Sequence, residues 1–478
     1  MMKKIVAMFL AVAALISLLA ACGGENAPGG NDVAQKNPGY QVPEGGYDGS
    51  KVTIRFAHTM GEKLQKILDD HIVEFNKLYP NIHVEHSSYG AWRDISGQIN
   101  TEMAADNQPN VAYCYPDHVA MYNMANTVVT LDGLIATTKP ALKGDGSTEP
   151  LGLTQKQIDD FIDSFYNEGM AYGDGRMYTM PMSKSTEVLY YNKTFFDANG
   201  LTVPTTWGEM ETVCQKILEL DPKSIPLGYD SEDNWFITMC EQYGYDYTSA
   251  TGEEHYLFNN DNNKSFVKMI RQWHQKGYVT TEAIYGAYTS SLFTQLDKSV
   301  SHSYMCIGSS GGASYQVPAD KAFEVGVASI PQVDPNHKKS ITQGPNLCIL
   351  KSGKTTDQHI LASWLFVKYL TTNLAFQTEF SSASGYMPVL ETAEDDKDYA
   401  AWLSKADGYD YLTAKVIKMG LEESDSYFVS PAFNGSSEAR KQVGALLSKC
   451  MSEKTDNVDA LIDSAFQNAY EECVFLTG

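Results

Sequence analysis

Gly308-Ser309-Ser310-Gly311-Gly312 fits the G-x-S-x-G spacing of a nucleophile elbow, where a serine hydroxyl stands on a sharp turn after a strand. A base would have to come from His337 or His359, with Asp320, Glu324 or Asp334 as the acid between it and Ser310. Two adjacent serines among glycines produce the pattern readily, and no loop of the lipase type supplies an oxyanion hole. A surface serine hydrolase is therefore kept only as an alternative. Two carboxylates across a glycosidic bond could hydrolyse it, but with 59 acidic residues such pairs arise everywhere. Neither H-E-x-x-H nor EF-hand spacing occurs. Beyond Cys22, the cysteines at 114, 214, 240, 306, 348, 450 and 473 are scattered, odd in number and without C-x-x-C spacing, which gives neither a zinc site nor a disulfide framework. One disulfide stays open without the sequence choosing it. No catalytic residue, metal or cofactor is expected.

The chain has 478 residues, 43% hydrophobic and 20% charged, enough for a sizeable core in two or more units. With 36 basic against 59 acidic residues the net charge is −23, which argues against nucleic acid or an anionic lipid surface as the main partner. Lys3 and Lys4 precede an apolar run from Ile5 to Ala21, the pattern of an export signal. Leu19-Ala20-Ala21-Cys22 at its end resembles a bacterial lipobox, so residues 1–21 are expected to be a lipoprotein signal with Cys22 lipidated. A single spanning helix is the competing reading. Stable anchoring takes more than one acyl chain, which a diacylglyceryl group supplies. Residues 22–50, rich in Gly and Pro and without apolar periodicity, read as a flexible tether. The folded part is expected outside the cell membrane, held to it by lipid.

The folded part must position whatever site exists. Alternation at Val52, Ile54 and Phe56 predicts a strand, and Leu64, Ile67, Leu68, Ile72, Phe75 and Leu78 predict a helix stopped by Pro80. Ile82 to Val84, a helix through Ile95, Ile99 and Met103, and Val111 to Tyr115 complete a βαβ series, hence a largely parallel sheet covered on both faces. Short strands follow at Met177 to Pro181 and Val188 to Tyr191, then a helix over 193–198. Thr206, with Glu209 three residues on, is a predicted N-cap. Met210 to about Lys298 reads as mainly helical. Strands are expected at 300–307, 325–330 and 343–350, then one long helix over 358–380 and a mostly helical remainder.

Tyr178-Thr179-Met180-Pro181, the run Val188-Leu189-Tyr190-Tyr191-Asn192-Lys193, and Pro204-Thr205-Thr206-Trp207 resemble the extracellular solute-binding proteins of family 1, which serve ABC importers of sugars. Phe75 to Pro80 with Ile82 to Val84, Gln108 to Val111, Gly344 to Leu350, and Ser384 to Pro388 extend the likeness over most of the chain. The resemblance implies an α/β protein of two lobes, each a mainly parallel sheet flanked by helices, with a ligand cleft between them. One lobe is placed at 51–183 with 342–390, the other at 184–341 with 391–478.

Within the family the likeness is nearest to the glycerol-3-phosphate-binding branch, and what it implies for the cleft is carried over residue by residue. Ser185, Ser309, Ser310, Gly344, Tyr386 and Arg440 would line it, with Trp235 as a cleft tryptophan, Asp117 as its acid and Tyr89 as a looser match. Asp117 and His118 also resemble a sugar-contacting pair in maltose-binding relatives. Carboxylates and hydroxyls suit a sugar's edge, aromatic rings its face, and a guanidinium holds a phosphate or two hydroxyls through its forked donors. Plainer readings compete: Trp235 with Phe236 and Ile237 as core, Tyr386 as packing, Asp117 as a helix cap, Arg440 as a solvated surface residue. The expected function is capture of a carbohydrate by hinge closure and its delivery, unchanged, to permease subunits by a monomer. Glycerol-3-phosphate or a glycerophosphodiester is the alternative ligand, and a surface receptor without a permease a third reading.

Overall fold

In the computed structural model the described residues are 39–90, 92–405 and 409–477, all within one compact unit, Val33–Gly478. The expected signal, Cys22 and the tether up to residue 38 lie outside them. The tether expected to run to residue 50 does not: Tyr47 is buried, its N–H bonds the Pro140 carbonyl at 3.0 Å, and Tyr40 N–H bonds Thr130 Oγ1 at 2.8 Å. A buried tyrosine fixes the chain against the first lobe before the first strand begins.

β1 (Val52–His58) buries Val52, Ile54 and Phe56 as its alternation requires. α1 (Glu62–Leu78) lays Ile67, Leu68, Ile72 and Phe75 on the sheet, and β2 (Ile82–Ser88) pairs parallel to β1 with Val52 opposite Ile82. α2 (Trp92–Ala104) leads to β3 (Val111–Cys114), parallel to the other edge of β1, and then to α3 (Pro116–Asn123). A hairpin, β4 (Pro140–Leu142) and β5 (Thr148–Pro150), precedes β6 (Met180–Pro181).

Residues 182–184 carry the chain across to a second sheet at β7 (Ser185–Asn192). There Thr206 caps α4 (Trp207–Leu220) in a capping box with Glu209. The stretch read as mainly helical holds two strands as well. β8 (Leu227–Tyr229) and β9 (Val279–Thr281) run parallel to each other, separated by α5 (Glu232–Tyr243) and α6 (Asp261–Gln275). At three residues each they are too short to show an alternation. β10 (Met305–Ser309) and β11 (Val325–Ser329) both pair antiparallel with β7.

The strand expected at 343–350 is two strands in different sheets. β12 (Ser340–Gln343) pairs with β7, the chain crosses back at Gly344-Pro345, and β13 (Asn346–Ile349) pairs with β3 and β6. Gly344 has φ +99°, and a Cβ there would lie 2.7 Å from the Ser183 carbonyl, so only glycine passes this crossing. The long helix is likewise two, α7 (Asp357–Thr372) and α8 (Leu374–Ala383), because Asn373 leaves the helical conformation and caps α8 through its side chain.

The sheets read β2-β1-β3-β13-β6 and β14-β12-β7-β10-β8-β9, where β14 is Tyr427–Phe428 and β11 also lies on β7. The first is parallel over β2-β1-β3 and antiparallel at β13 and β6; in the second β10-β8-β9 and β12-β14 are parallel, while β7 runs antiparallel to β10, β11 and β12. Past residue 390 the chain does not pass directly to the second lobe. Ala393, Tyr399 and Leu403 pack in the first core. α9 (Tyr409–Glu422) sets Ala414, Ile417 and Leu421 on that core and Leu412 and Val416 against Val188 and Tyr190 of β7. Only α10 (Ser436–Ser452) and α11 (Val458–Thr477) complete the second core. Among the described residues the seven cysteines are all buried thiols. Among the described residues no helix is long and apolar enough to cross a membrane, and no cluster of His, Cys, Asp and Glu is placed to hold a metal.

Candidate functional site

β1 and β3 both point their carboxyl ends at the seam between the two sheets, the general place for a site in open α/β folds. β3 ends at Cys114, and Tyr115-Pro116 turns the chain into α3, placing Asp117 in the first turn of that helix. From the second lobe, α10 brings Arg440 and α5 brings Asp233 and Asn234 to the same point. Arg440 Nη1 donates to Asp233 Oδ2 at 3.0 Å and also to Asn234 Oδ1, while its Nε lies 3.6 Å from Asp117 Oδ2. The last distance allows charge attraction but is too long for a hydrogen bond. Asp117, 9% exposed, therefore keeps a buried carboxylate oxygen with no hydrogen-bond donor. Burial works against the Arg440 charge, but Asp233 and Asp117 outweigh it and hold the guanidinium ionised. Arg440, at 27% side-chain exposure, is no solvated surface residue.

Aromatic rings wall the first lobe's side. Trp92 stacks on Tyr115 with centroids 4.4 Å apart and on Tyr113 at 5.7 Å. The Tyr386 ring lies so close to Gly311 of the second lobe that a Cβ there would come within 2.9 Å. Ser309 Oγ accepts from Gly311 N–H at 3.2 Å, capping a short 3-10 helix.

Other expectations fare differently. Ser310 is 1% exposed and its Oγ accepts from Thr186 N–H at 3.2 Å, which ties the turn to β7. His337 pairs with Asp334 at 2.7 Å on an exposed loop, and His359 caps α7 through Thr356, so neither base proposed for the hydrolase reading attends Ser310. Trp235 is 0% exposed and sits in the second core, stacked on Tyr229 at 4.5 Å and 9°. The plainer reading applies: the tryptophan expected in the cleft packs beneath it. His118 is buried, its Nδ1 accepting from Tyr115 N–H at 3.4 Å, so it braces the turn that presents Asp117. The Tyr89 hydroxyl donates to Glu102 of α2 at 2.8 Å. Ser185 starts β7 opposite Gln343, and Gly344 serves the crossing beside it.

At that crossing Lys184, fully buried, forms an ion pair with Glu168, and its N–H and C=O both bond the Met387 backbone. Burial lowers the lysine pKa, opposed by the Glu168 charge.

Glu187 on β7 accepts from the Tyr229 hydroxyl at 2.5 Å beside Asn234. Burial pushes its carboxyl from 4.5 up to about 8, so it is protonated at neutral pH. A carboxyl that keeps its proton in the folded state contributes stability fully below about pH 4.5 and loses it as pH rises to about 8. Glu187→Gln should therefore flatten the fall in Tm between pH 5 and pH 8, read by thermal denaturation across that range. Parallel profiles for wild type and variant would contradict the assignment.

Sequence reasoning missed Asp233, Asn234, Trp92 and Tyr115. Asp233-Asn234 directly precedes the tryptophan that was singled out, and a helix face turned by one or two positions separates core from seam.

The chain is similar to the multiple sugar-binding protein of Streptococcus mutans, 23% identical over 434 residues covering 80% of this chain and 90% of that protein. It is 22% identical to the sn-glycerol-3-phosphate-binding periplasmic protein UgpB of Escherichia coli K12, over 76% of this chain and 80% of that one. Among solved structures, UgpB from Mycobacterium tuberculosis in complex with glycerophosphocholine superposes with a TM-score of 0.69 at 18% identity, covering 89% and 98% of the two chains. Maltose-bound MalE3 of T. maritima gives 0.67 at 16%, covering 89% and 99%. These likenesses carry the two-lobed fold. Residues 71–406 match the family of bacterial extracellular solute-binding proteins, and the chain belongs to that family.

Proposed function

We propose that this protein is the solute-binding component of an ABC importer and that its ligand is an uncharged carbohydrate, held between the lobes and passed on unchanged. One lobe comprises residues 51–183 and 344–405, the other 184–343 and 427–477, with α9 behind the hinge. A lipid on Cys22 keeps the monomer at the outer face of the cell membrane, beside the permease it serves.

The relatives' names divide between sugars and glycerol phosphates, and the charge at the seam favours the sugar. The observation that carries this is the Asp117 oxygen, buried and without a hydrogen-bond donor, facing an Arg440 whose charge two carboxylates already share. A carboxylate acceptor suits a hydroxyl hydrogen and repels a phosphate oxygen. Trp92 and Tyr115 offer stacked faces to the C–H surface of a sugar ring. Because Asp117 and Arg440 belong to different lobes, a ligand touching both binds the closed form better than the open one, which turns occupancy into shape.

A thermal-shift screen with maltose, maltotriose, tagatose and sn-glycerol-3-phosphate tests the assignment, since a ligand at 100 times its Kd adds about 2.7 kcal/mol to folded stability. A rise in Tm with a neutral sugar is expected. A rise with glycerol phosphate alone would reverse the choice. Asp233→Asn should improve binding of sn-glycerol-3-phosphate by about tenfold, the effect of roughly 1.4 kcal/mol of relieved repulsion. Calorimetric titration of the variant showing no gain would mean that Asp233 does not set the charge preference.

A further inference from the structure

Behind Asp117, toward the hinge, the first sheet carries polar groups that nothing described so far uses. Asn346 stands opposite Cys114 across the β3–β13 pairing and opposite Pro181 across the β13–β6 pairing, so these side chains share one face of the sheet. Asn346 is 0% exposed, and both its Oδ1 and its Nδ2 lack a hydrogen-bond partner. Tyr122 of α3 and Tyr172 lie over the same face, within electrostatic reach of Cys114, Cys348 and Asp117, and both hydroxyls are buried and unpartnered. Ser183, whose N–H bonds the Pro345 carbonyl next to Asn346, adds another buried hydroxyl without a partner. The charges nearby are committed, since Lys184 is paired with Glu168.

Native proteins leave few buried polar atoms unpaired, and each specific case calls for an explanation. Five such atoms on four residues at one end of one sheet are a concentration. A carboxamide and three hydroxyls offer both donors and acceptors without net charge, the complement of vicinal hydroxyl groups, each itself a donor and an acceptor. A phosphate or carboxylate would find no free cation there.

We propose that Asn346, Tyr172, Tyr122 and Ser183 form a second, neutral subsite that extends from Asp117 toward the hinge and takes the uncharged, hydroxyl-bearing end of the ligand. The proposal deepens the solute-binding reading and rests on it. Water has the same hydrogen-bonding chemistry, and the test separates the two occupants. Groups kept for a guest are a cost to the empty protein, whereas groups that hold structural water stabilise it.

Two variants are measured without ligand and with maltotriose: Asn346→Leu, and Tyr172→Phe, which removes a single oxygen and keeps the fold. A ligand subsite predicts a ligand-free Tm about 2 °C or more above wild type for Tyr172→Phe, and for Asn346→Leu where that variant folds. It also predicts at least tenfold weaker binding of maltotriose wherever wild type binds it. A Tm lowered or unchanged in Tyr172→Phe would overturn the proposal in favour of structural water. Raised Tm with undiminished binding would overturn it too, since the guest would then not reach these groups. If wild type binds none of the neutral sugars, the carbohydrate reading fails on its own, while the ligand-free Tm comparison still decides whether these groups form a binding site.

Discussion

Arg440→Met should cost about a hundredfold or more in affinity for whichever solute the wild-type protein binds, with folding intact. The guanidinium is the cation between Asp233 on its own lobe and Asp117 on the other. Truncating one member of a buried, hydrogen-bonded charge set costs roughly 2–5 kcal/mol, much of it from the charges left uncompensated. Here the remaining charges are two carboxylates that closure brings toward each other, so the closed form suffers more than the open one. Calorimetry reads the affinity, and small-angle scattering of the ligand-free variant should show the more open shape. Arg440→Lys keeps the charge without the planar fork that reaches both Asp233 and Asn234, and should fall between. An Arg440→Met protein that binds and closes like wild type would remove Arg440 from the site.

Lys184→Met should destabilise the protein by about 3–5 kcal/mol, because it leaves Glu168 buried and unpaired at the hinge. Replacing both partners, Lys184→Met with Glu168→Gln, should recover most of that loss, since the desolvation cost of the charges disappears together with their attraction. Denaturant unfolding of the two single variants and the double variant closes the cycle. A double-variant loss equal to the sum of the two single losses would mean that the pair contributes nothing beyond packing. The hinge position gives the pair a second consequence: Lys184 also bonds the Met387 backbone in both directions, so the crossing strand is held to the first lobe.

The first lobe's βαβ series was legible because its helices are long enough to show the 3.6 period and its strands alternate, as at Val52, Ile54 and Phe56. β8 and β9 were not, since three residues carry no period, and they stand between strongly amphipathic helices. The resemblance set this crossing at 341–342, and the structure moves it to Gly344-Pro345, where Gln343 still pairs with Ser185 of the second sheet and Asn346 already pairs with Cys114 of the first. At the site, the resemblance placed Asp117 and Arg440, which the structure brings within 3.6 Å. It also suggested Trp235, where helix rotation overrules sequence proximity: Asp233 and Asn234 meet Arg440, and Trp235 turns inward onto Tyr229. The orphaned polar atoms around Asn346 had no signal in sequence at all, because an asparagine on a strand reads the same whether or not its amide finds a partner.

Native mass spectrometry of the purified protein with an equimolar mixture of maltose, maltotriose, tagatose and glycerophosphocholine shows what the protein carries and whether it leaves it intact. A complex whose added mass is one intact neutral sugar is expected, with release of that sugar at unchanged mass. A complex with glycerophosphocholine in place of every sugar, or recovery of cleaved products, would contradict carriage of an intact sugar.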